Sequence, residues 1–174
     1  MKKIITFLFL VSFGFIQAQE AFTGKGDTRV NVGANLQDGG SGIQGSIDFG
    51  LGENFSFGFV ASYLLGVDNF NGFYHGSTYY SDYKPEFQDR FDAKARINAN
   101  LSSVIGVKQL DVYPGLSLGL RNFGGHVGGR YFFTDGFGVF TEIGFPIAKY
   151  SSEKDVFDHL NNQVTFSLGA SFNL

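Results

Sequence analysis

The chain has 174 residues, a formal net charge of −3 and no cysteine, with 22 Phe, 8 Tyr and 25 Gly against 3 Pro. Disulfides and thiol chemistry are therefore excluded, and an acidic chain of this balance is a poor partner for nucleic acid. The length suits one domain, and the excess of glycine and aromatics over average usage points to β-structure.

The N-terminus stands apart. Lys2 and Lys3 precede an apolar run from Ile4 to Phe15, and Ile16-Gln17-Ala18 offers a cleavage site after Ala18. This is the pattern of an exported signal peptide over residues 1–18, too short and wrongly flanked for a membrane helix. Cleavage leaves about 156 residues, 19–174, with a net charge of about −5. No cysteine follows the site, so a lipid-anchored lipoprotein is not expected. Nor does any later apolar run approach the roughly 20 residues of a spanning helix.

After a short lead-in at 19–28, apolar residues fall on every second position, the signature of strands with one apolar and one polar face. Strand one starts at Arg29, with Val30, Val32, Ala34 and Leu36 on one face and Arg29, Asn31, Gly33, Asn35 and Gln37 on the other. Residues 38–42, Asp-Gly-Gly-Ser-Gly, form a tight turn, where glycine supplies positive φ. Strand two, 43–51, sets Ile43, Ile47 and Phe49 against Gln44, Ser46 and Asp48. After Glu53-Asn54, strand three covers 55–65.

The segment 66–90 breaks the pattern. Strand four, 91–101, opposes Phe91, Ala93, Ala95 and Ile97 to Asp92, Lys94, Arg96 and Asn98. A link at 102–107 leads to strand five, 110–121, whose polar face carries Asp111, Tyr113 and Arg121. Pro114 lacks a ladder donor, so a bulge is expected there. A turn at 122–125 leads to strand six, 126–133, with His126 and Arg130 on the polar face. Thr134-Asp135-Gly136 is a hairpin, and strand seven, 137–147, carries Glu142 among outward Phe137, Val139, Ile143 and Phe145. A loop at 150–159 precedes the last strand, 163–174, where Val164, Phe166, Leu168, Ala170, Phe172 and Leu174 alternate with Thr165, Ser167, Gly169, Ser171 and Asn173.

Eight strands in hairpin order, an even count with dyad alternation behind a signal peptide, give an all-β chain. The expected architecture is an eight-stranded antiparallel up-and-down transmembrane β-barrel. A soluble barrel alternates too, but its outer polar face should be rich in Lys and Glu. Here the polar face is mostly Gly, Ser and Asn, which suits a crowded interior. With both termini in the periplasm, the turns at 53–54, 102–107 and 134–136 fall on that side, and the long segments 66–90 and 150–159 fall outside.

The hairpin Gly129-Arg130-Tyr131-Phe132-Phe133-Thr134-Asp135-Gly136-Phe137-Gly138-Val139-Phe140-Thr141-Glu142-Ile143-Gly144 resembles that of small eight-stranded outer-membrane barrels of Bacteroidetes-type bacteria. The resemblance extends to the whole mature chain as a pattern, with Leu174 in place of the usual terminal aromatic. It implies the fold and an outer-membrane location and carries no activity with it.

The polar face bears Asp48, Asp92, Lys94, Arg96, Asp111, Arg121, Arg130 and Glu142, four acids and four bases. The lumen of eight strands has room for side chains only. Unpaired charges there are costly, so a mutually paired network is expected, a structural plug first and a gate or ion path second. The segment 66–90 holds Phe70, Phe73, Tyr74, Tyr79, Tyr80, Tyr83 and Phe87. These offer either an adhesive surface for an extracellular partner or a hairpin extension packed on the rim.

No catalytic, cofactor or metal residues are assigned. Gly40-Ser41-Gly42-Ile43-Gln44-Gly45 fits a dinucleotide string but precedes a strand, without the helix that binds phosphate. His75, His126 and His159 show no ligand spacing. The acids around 68–72 and 155–158 lack a full calcium loop. His75-Gly76-Ser77 resembles the His-x-Ser of lipid A deacylases but lacks the following Asn and a Glu partner. The expectation is a non-enzymatic monomer in contact with outer-membrane lipid. A narrow gated channel or small-ligand conduit is the alternative, and a lipid A-modifying enzyme stands behind both.

Overall fold

Strand alternation closes the sheet on itself. The computed structural model describes residues 21–68, 73–75, 78–80, 84–150 and 157–174, with 73–75 and 78–80 as backbone. The expected signal sequence, 1–18, lies outside the described residues. In chain order the strands are β1 (Thr28–Gln37), β2 (Gly40–Gly50), β3 (Phe55–Val67), β4 (Phe73–His75), β5 (Thr78–Tyr80), β6 (Phe91–Ala99), β7 (Leu110–Gly119), β8 (Asn122–Phe132), β9 (Phe137–Lys149) and β10 (Thr165–Asn173). Eight of them form a closed antiparallel barrel in the order β1-β2-β3-β6-β7-β8-β9-β10, and β4 and β5 pair separately within the segment 66–90. The seam is β1 on β10, in unbroken register from Arg29↔Asn173 to Gln37↔Thr165. Closure leaves no free edge in the barrel.

Side chains sort by parity as the pleat requires. Val32, Ile43, Phe59, Ile97, Leu118, Val127, Ile143 and Leu168 are exposed on the outer face. Arg29, Asn31, Asp48, Ser56, Asn98, Asp111, Arg130, Ser167 and Ser171 are buried inside. The polar groups are thus interior and the apolar ones exterior, the reverse of a barrel that meets water on its outside.

Three expectations need correction. The turn read at 38–42 closes over Asp38-Gly39 alone, and Ser41 and Gly42 belong to β2. The turn read at 122–125 lies two residues earlier, at Leu120-Arg121, because Gly124 and Gly125 are buried within β8. The bulge invited by Pro114 is absent. Pro114 pairs with Val127 in regular register. On its other side the β6–β7 ladder stops at Asn98↔Gly115 and resumes with Leu101 N donating to Val112 O at 2.9 Å, so the missing donor falls in the gap. The bulges lie elsewhere, between Ser41 and Gly42 and between Phe123 and Gly124. The second accommodates Pro146 opposite Gly124, where a strand proline is tolerated.

Both mouths carry extra chain. At the end holding the termini, residues 21–27 fold against the link 100–109: Ala21 N donates to Lys108 O at 2.5 Å and Ser102 Oγ to Phe22 O at 3.4 Å. A helical turn, Ser102–Ile105, shapes that link. At the far end the stretch 157–162 crosses the mouth as a strap. Its Phe157 and Leu160 bury against Leu64 and Val67. Asn161, at φ 58°, donates from its backbone N to Gln37 Oε1 at 3.1 Å and from Nδ2 to Arg90 O at 3.2 Å. A positive φ is tolerated by asparagine better than by most residues.

Candidate functional site

The charged residues that parity sends inward meet across the lumen. Arg96, on β6, donates from Nε and Nη2 to the two carboxylate oxygens of Asp48, at 2.7 and 2.6 Å, a bidentate fork. The same guanidinium donates from Nη1 to Glu142 on β9, at 2.8 Å, and from Nη2 to Ser46 at 2.9 Å. Arg130, on β8, donates to Asp48 and, at 3.3 Å, to Asp111 on β7. Asp48 therefore joins two guanidiniums, and the lattice draws on β2, β6, β7, β8 and β9. All five charged groups are buried.

Two glycines make the lattice possible. Gly58 of β3 stands in register with both Asp48 and Arg96, and a Cβ there would run into the Asp48 carboxylate. Gly128 of β8 faces the ring of Tyr113, which would collide with any larger residue. The Tyr113 ring lies under both arginines, with Arg130 Cζ 3.9 Å and Arg96 Cζ 5.9 Å from its centroid, a cation–π stack out of water.

The rest of the wall is neutral and hydrogen-bonded. Asn31 Nδ2 donates to Ser46 Oγ at 3.0 Å, and Ser171 Oγ to Asn31 Oδ1 at 2.8 Å. Ser167 Oγ donates to Gln44 Oε1 at 2.9 Å. His126 Nε2 lies 2.7 Å from Asn98 Oδ1, which makes that nitrogen the donor.

Of the eight expected charges, Asp48, Arg96, Asp111, Arg130 and Glu142 form the lattice. Asp92 and Lys94 make a separate pair at 3.4 Å nearer the far mouth, with Lys94 Nζ also 3.3 Å from Asn122 Oδ1. Arg121 does not join the lattice. It stands in the β7–β8 turn, donates to Gln88 O and lies 3.8 Å from Asp89. Four inward residues went unassigned. Arg29 and Asp27 pair at 2.7 Å near the terminal mouth, with Arg29 Cζ 4.9 Å from the Phe132 ring centroid. Tyr113 and His126 belong to the lumen as well. Parity placed Arg29, Tyr113 and His126 inward, and Asp27 precedes the first alternating residue.

The aromatic segment is described in part. Phe70 and Tyr83 lie outside the described residues, and Phe73, Tyr74, Tyr79 and Tyr80 are described as backbone of the β4–β5 hairpin. Phe87 is exposed on the helical turn Phe87–Arg90 and stacks between Tyr63 and Phe91, at 5.4 and 5.5 Å. His75-Gly76-Ser77 falls outside what is described of the side chains. Among the described residues, no group of three or more His, Cys, Asp and Glu is placed to hold a metal ion.

The crystal structure of the N-terminal β-barrel domain of Pseudomonas aeruginosa OprF is similar to this chain, with a TM-score of 0.52 and 13% identity over 87% of this chain and 100% of that one. At that identity the likeness is one of fold, an eight-stranded barrel of outer-membrane type. No curated protein matches the sequence. The model of a family of unknown function, DUF6646, matches residues 12–174, and the chain belongs to that family.

Proposed function

We propose that this member of DUF6646 is a non-enzymatic outer-membrane barrel with a structural or surface-interaction role, its lumen closed by the charge lattice. The observation that carries the reading is Asp48 held between Arg96 and Arg130, with Glu142 and Asp111 completing the crossing. Five buried, mutually bonded charges fill the middle of a lumen that eight strands make only wide enough for side chains. In a planar bilayer, the purified protein is expected to show no openings above baseline; a steady single-channel conductance would refute the plug. That result would favour a narrow gated conduit, the second reading, which draws support from the polar chamber between the lattice and the strap.

The outward apolar face supports the membrane location, as does the resemblance of hairpin 129–144 to barrels of Bacteroidetes-type bacteria. Val127 lies at the middle of β8 and is exposed. Val127→Arg is expected to cost about 2–4 kcal/mol in a bilayer, the price of a basic residue near the midplane, and next to nothing if the surface met water. Unfolding from liposomes measures the difference. Outer-membrane fractionation with heat-modifiable gel migration tests the location itself, and recovery in the soluble periplasm contradicts it.

A further inference from the structure

The outer face of the barrel is not evenly filled. Register sets Gly45 of β2 opposite Ala61 of β3, and Ala61 opposite Ala93 of β6, one row of small residues across three strands. Parity turns all three outward. Larger residues flank the row along the strands, Ile43 and Ile47 beside Gly45 and Phe59 and Tyr63 beside Ala61. Val32, opposite Gly45, stands at one end, and Leu120, whose N donates to Ala93 O at 3.1 Å, at the other. The result is an apolar trough of about 640 Å³.

Packing within the protein does not require the smallest of these residues. A Cβ at Gly58 or Gly128 runs into neighbouring atoms, whereas one at Gly45 meets nothing within 4 Å. Glycine weakens a strand interior and often marks a place where a ligand comes close. Gly129 on β8 is equally free, but its row neighbours, Val112 and Thr141, are larger.

The trough is continuous with the apolar exterior and crosses β2 and β3 at mid-strand, so its occupant is what covers that exterior. Left empty, its lining would forfeit dispersion contacts. A second copy fills it poorly, because a two-fold contact sets the same patch against itself, trough on trough. A slender hydrocarbon chain fits it. Leu120 also borders a notch at the far rim, with Phe87, Phe91, Arg121 and Tyr150. Trough and notch share that wall, apolar below and polar-edged above, the layout of a lipid with its chain down and its head at the rim. Arg121 and Asp158 both border the notch, so charge there is balanced and the fit lies in the chain.

We propose that the trough seats one acyl chain of a bilayer lipid from the far-mouth leaflet, held more firmly than the lipid around it, with its head at the notch. The inference rests on the membrane reading above.

Native mass spectrometry of the mature chain, folded into phosphatidylcholine vesicles and released into mild detergent, tests it. One lipid is expected to stay on each wild-type barrel. Gly45→Phe places a ring on the open trough floor and should abolish the adduct, as should Ala61→Phe on the same floor. Gly129→Phe, outward on β8, should keep it. The heat-dependent gel shift reports that each variant is folded. A folded, inserted wild type without bound lipid overturns the proposal and leaves the membrane reading standing; failure to insert overturns both. An adduct undiminished by the two floor variants, or lost equally in Gly129→Phe, also overturns it. So does a dimer that the floor variants dissociate, since the trough would then hold protein.

Discussion

Arg96→Met is expected to lower the unfolding free energy by about 3–5 kcal/mol, the range for breaking a buried ion pair by removing one partner. The Arg96 guanidinium makes two bonds to Asp48, one to Glu142 and one to Ser46, with no access to water. Methionine fills much of the same volume without charge. Glu142 then loses its guanidinium and Asp48 keeps only Arg130, so the loss is one of compensation more than of packing. Glu142→Gln in the same chain removes one of the stranded charges and is expected to recover part of the loss, a coupling that a double-mutant cycle reads directly. Lys94→Met is the contrast. Its side chain is 22% exposed and 3.4 Å from Asp92, a single contact, so although Asp92 stays buried the expected cost is smaller, about 1–3 kcal/mol. Urea titration in liposomes, followed by the gel shift between folded and unfolded barrel, gives all four values. Equal costs for Arg96→Met and Lys94→Met would remove the lattice from any account of stability.

What the sequence discloses, and what it hides, follows from how local each signal is. Alternation is a property of neighbours, so it identified the eight barrel strands and put Asp48, Arg96, Arg130 and Glu142 on one face, where they meet. Turn positions depend on why a glycine is there, which is not local. Asn122-Phe123-Gly124-Gly125 has turn composition, yet its glycines are small because β8 faces a crowded interior. Reading a turn there extended β7 by two residues and sent Arg121 into the lumen, when it belongs to the rim. The balance of four acids and four bases changed with it: Arg121 leaves, Asp27 and Arg29 enter, and a surplus carboxylate remains. Pro114 misled for a similar reason. A missing donor disturbs a ladder only where a partner waits, and at Pro114 the β6 ladder is already interrupted. The strap left one faint sign, Phe157 and Leu160 spaced three apart, the first inside the stretch 150–159 read as loop and the second just past it. Apolar residues with no lipid and no strand to face must bury somewhere, and here they bury in the mouth on Leu64.

That strap supplies the second large effect. Leu160 is fully buried, and Leu160→Ala is expected to cost about 2–5 kcal/mol of the strap's docking, as a buried leucine does when it leaves a cavity. Even the low end, about 2 kcal/mol, raises the open population roughly thirtyfold, at about 1.4 kcal/mol for each factor of ten. The barrel should stay folded, because the strap lies outside the strand ladders. The readout is a thiol placed in the chamber. Ser117 lines it and is buried, and the chain has no cysteine of its own, so Ser117→Cys is the sole labelling site. With the native strap, the thiol should react slowly with a charged thiosulfonate; with Leu160→Ala added, roughly thirtyfold faster. An unchanged rate would mean that the strap does not guard the chamber. Sidedness then separates the two functional readings. In liposomes, reagent at the strap mouth should reach the introduced thiol and reagent at the terminal mouth should not, because the Arg96–Asp48–Arg130 crossing stands between. Labelling from both sides would show the lattice to be passable, and the barrel would then be a conduit closed only by its strap.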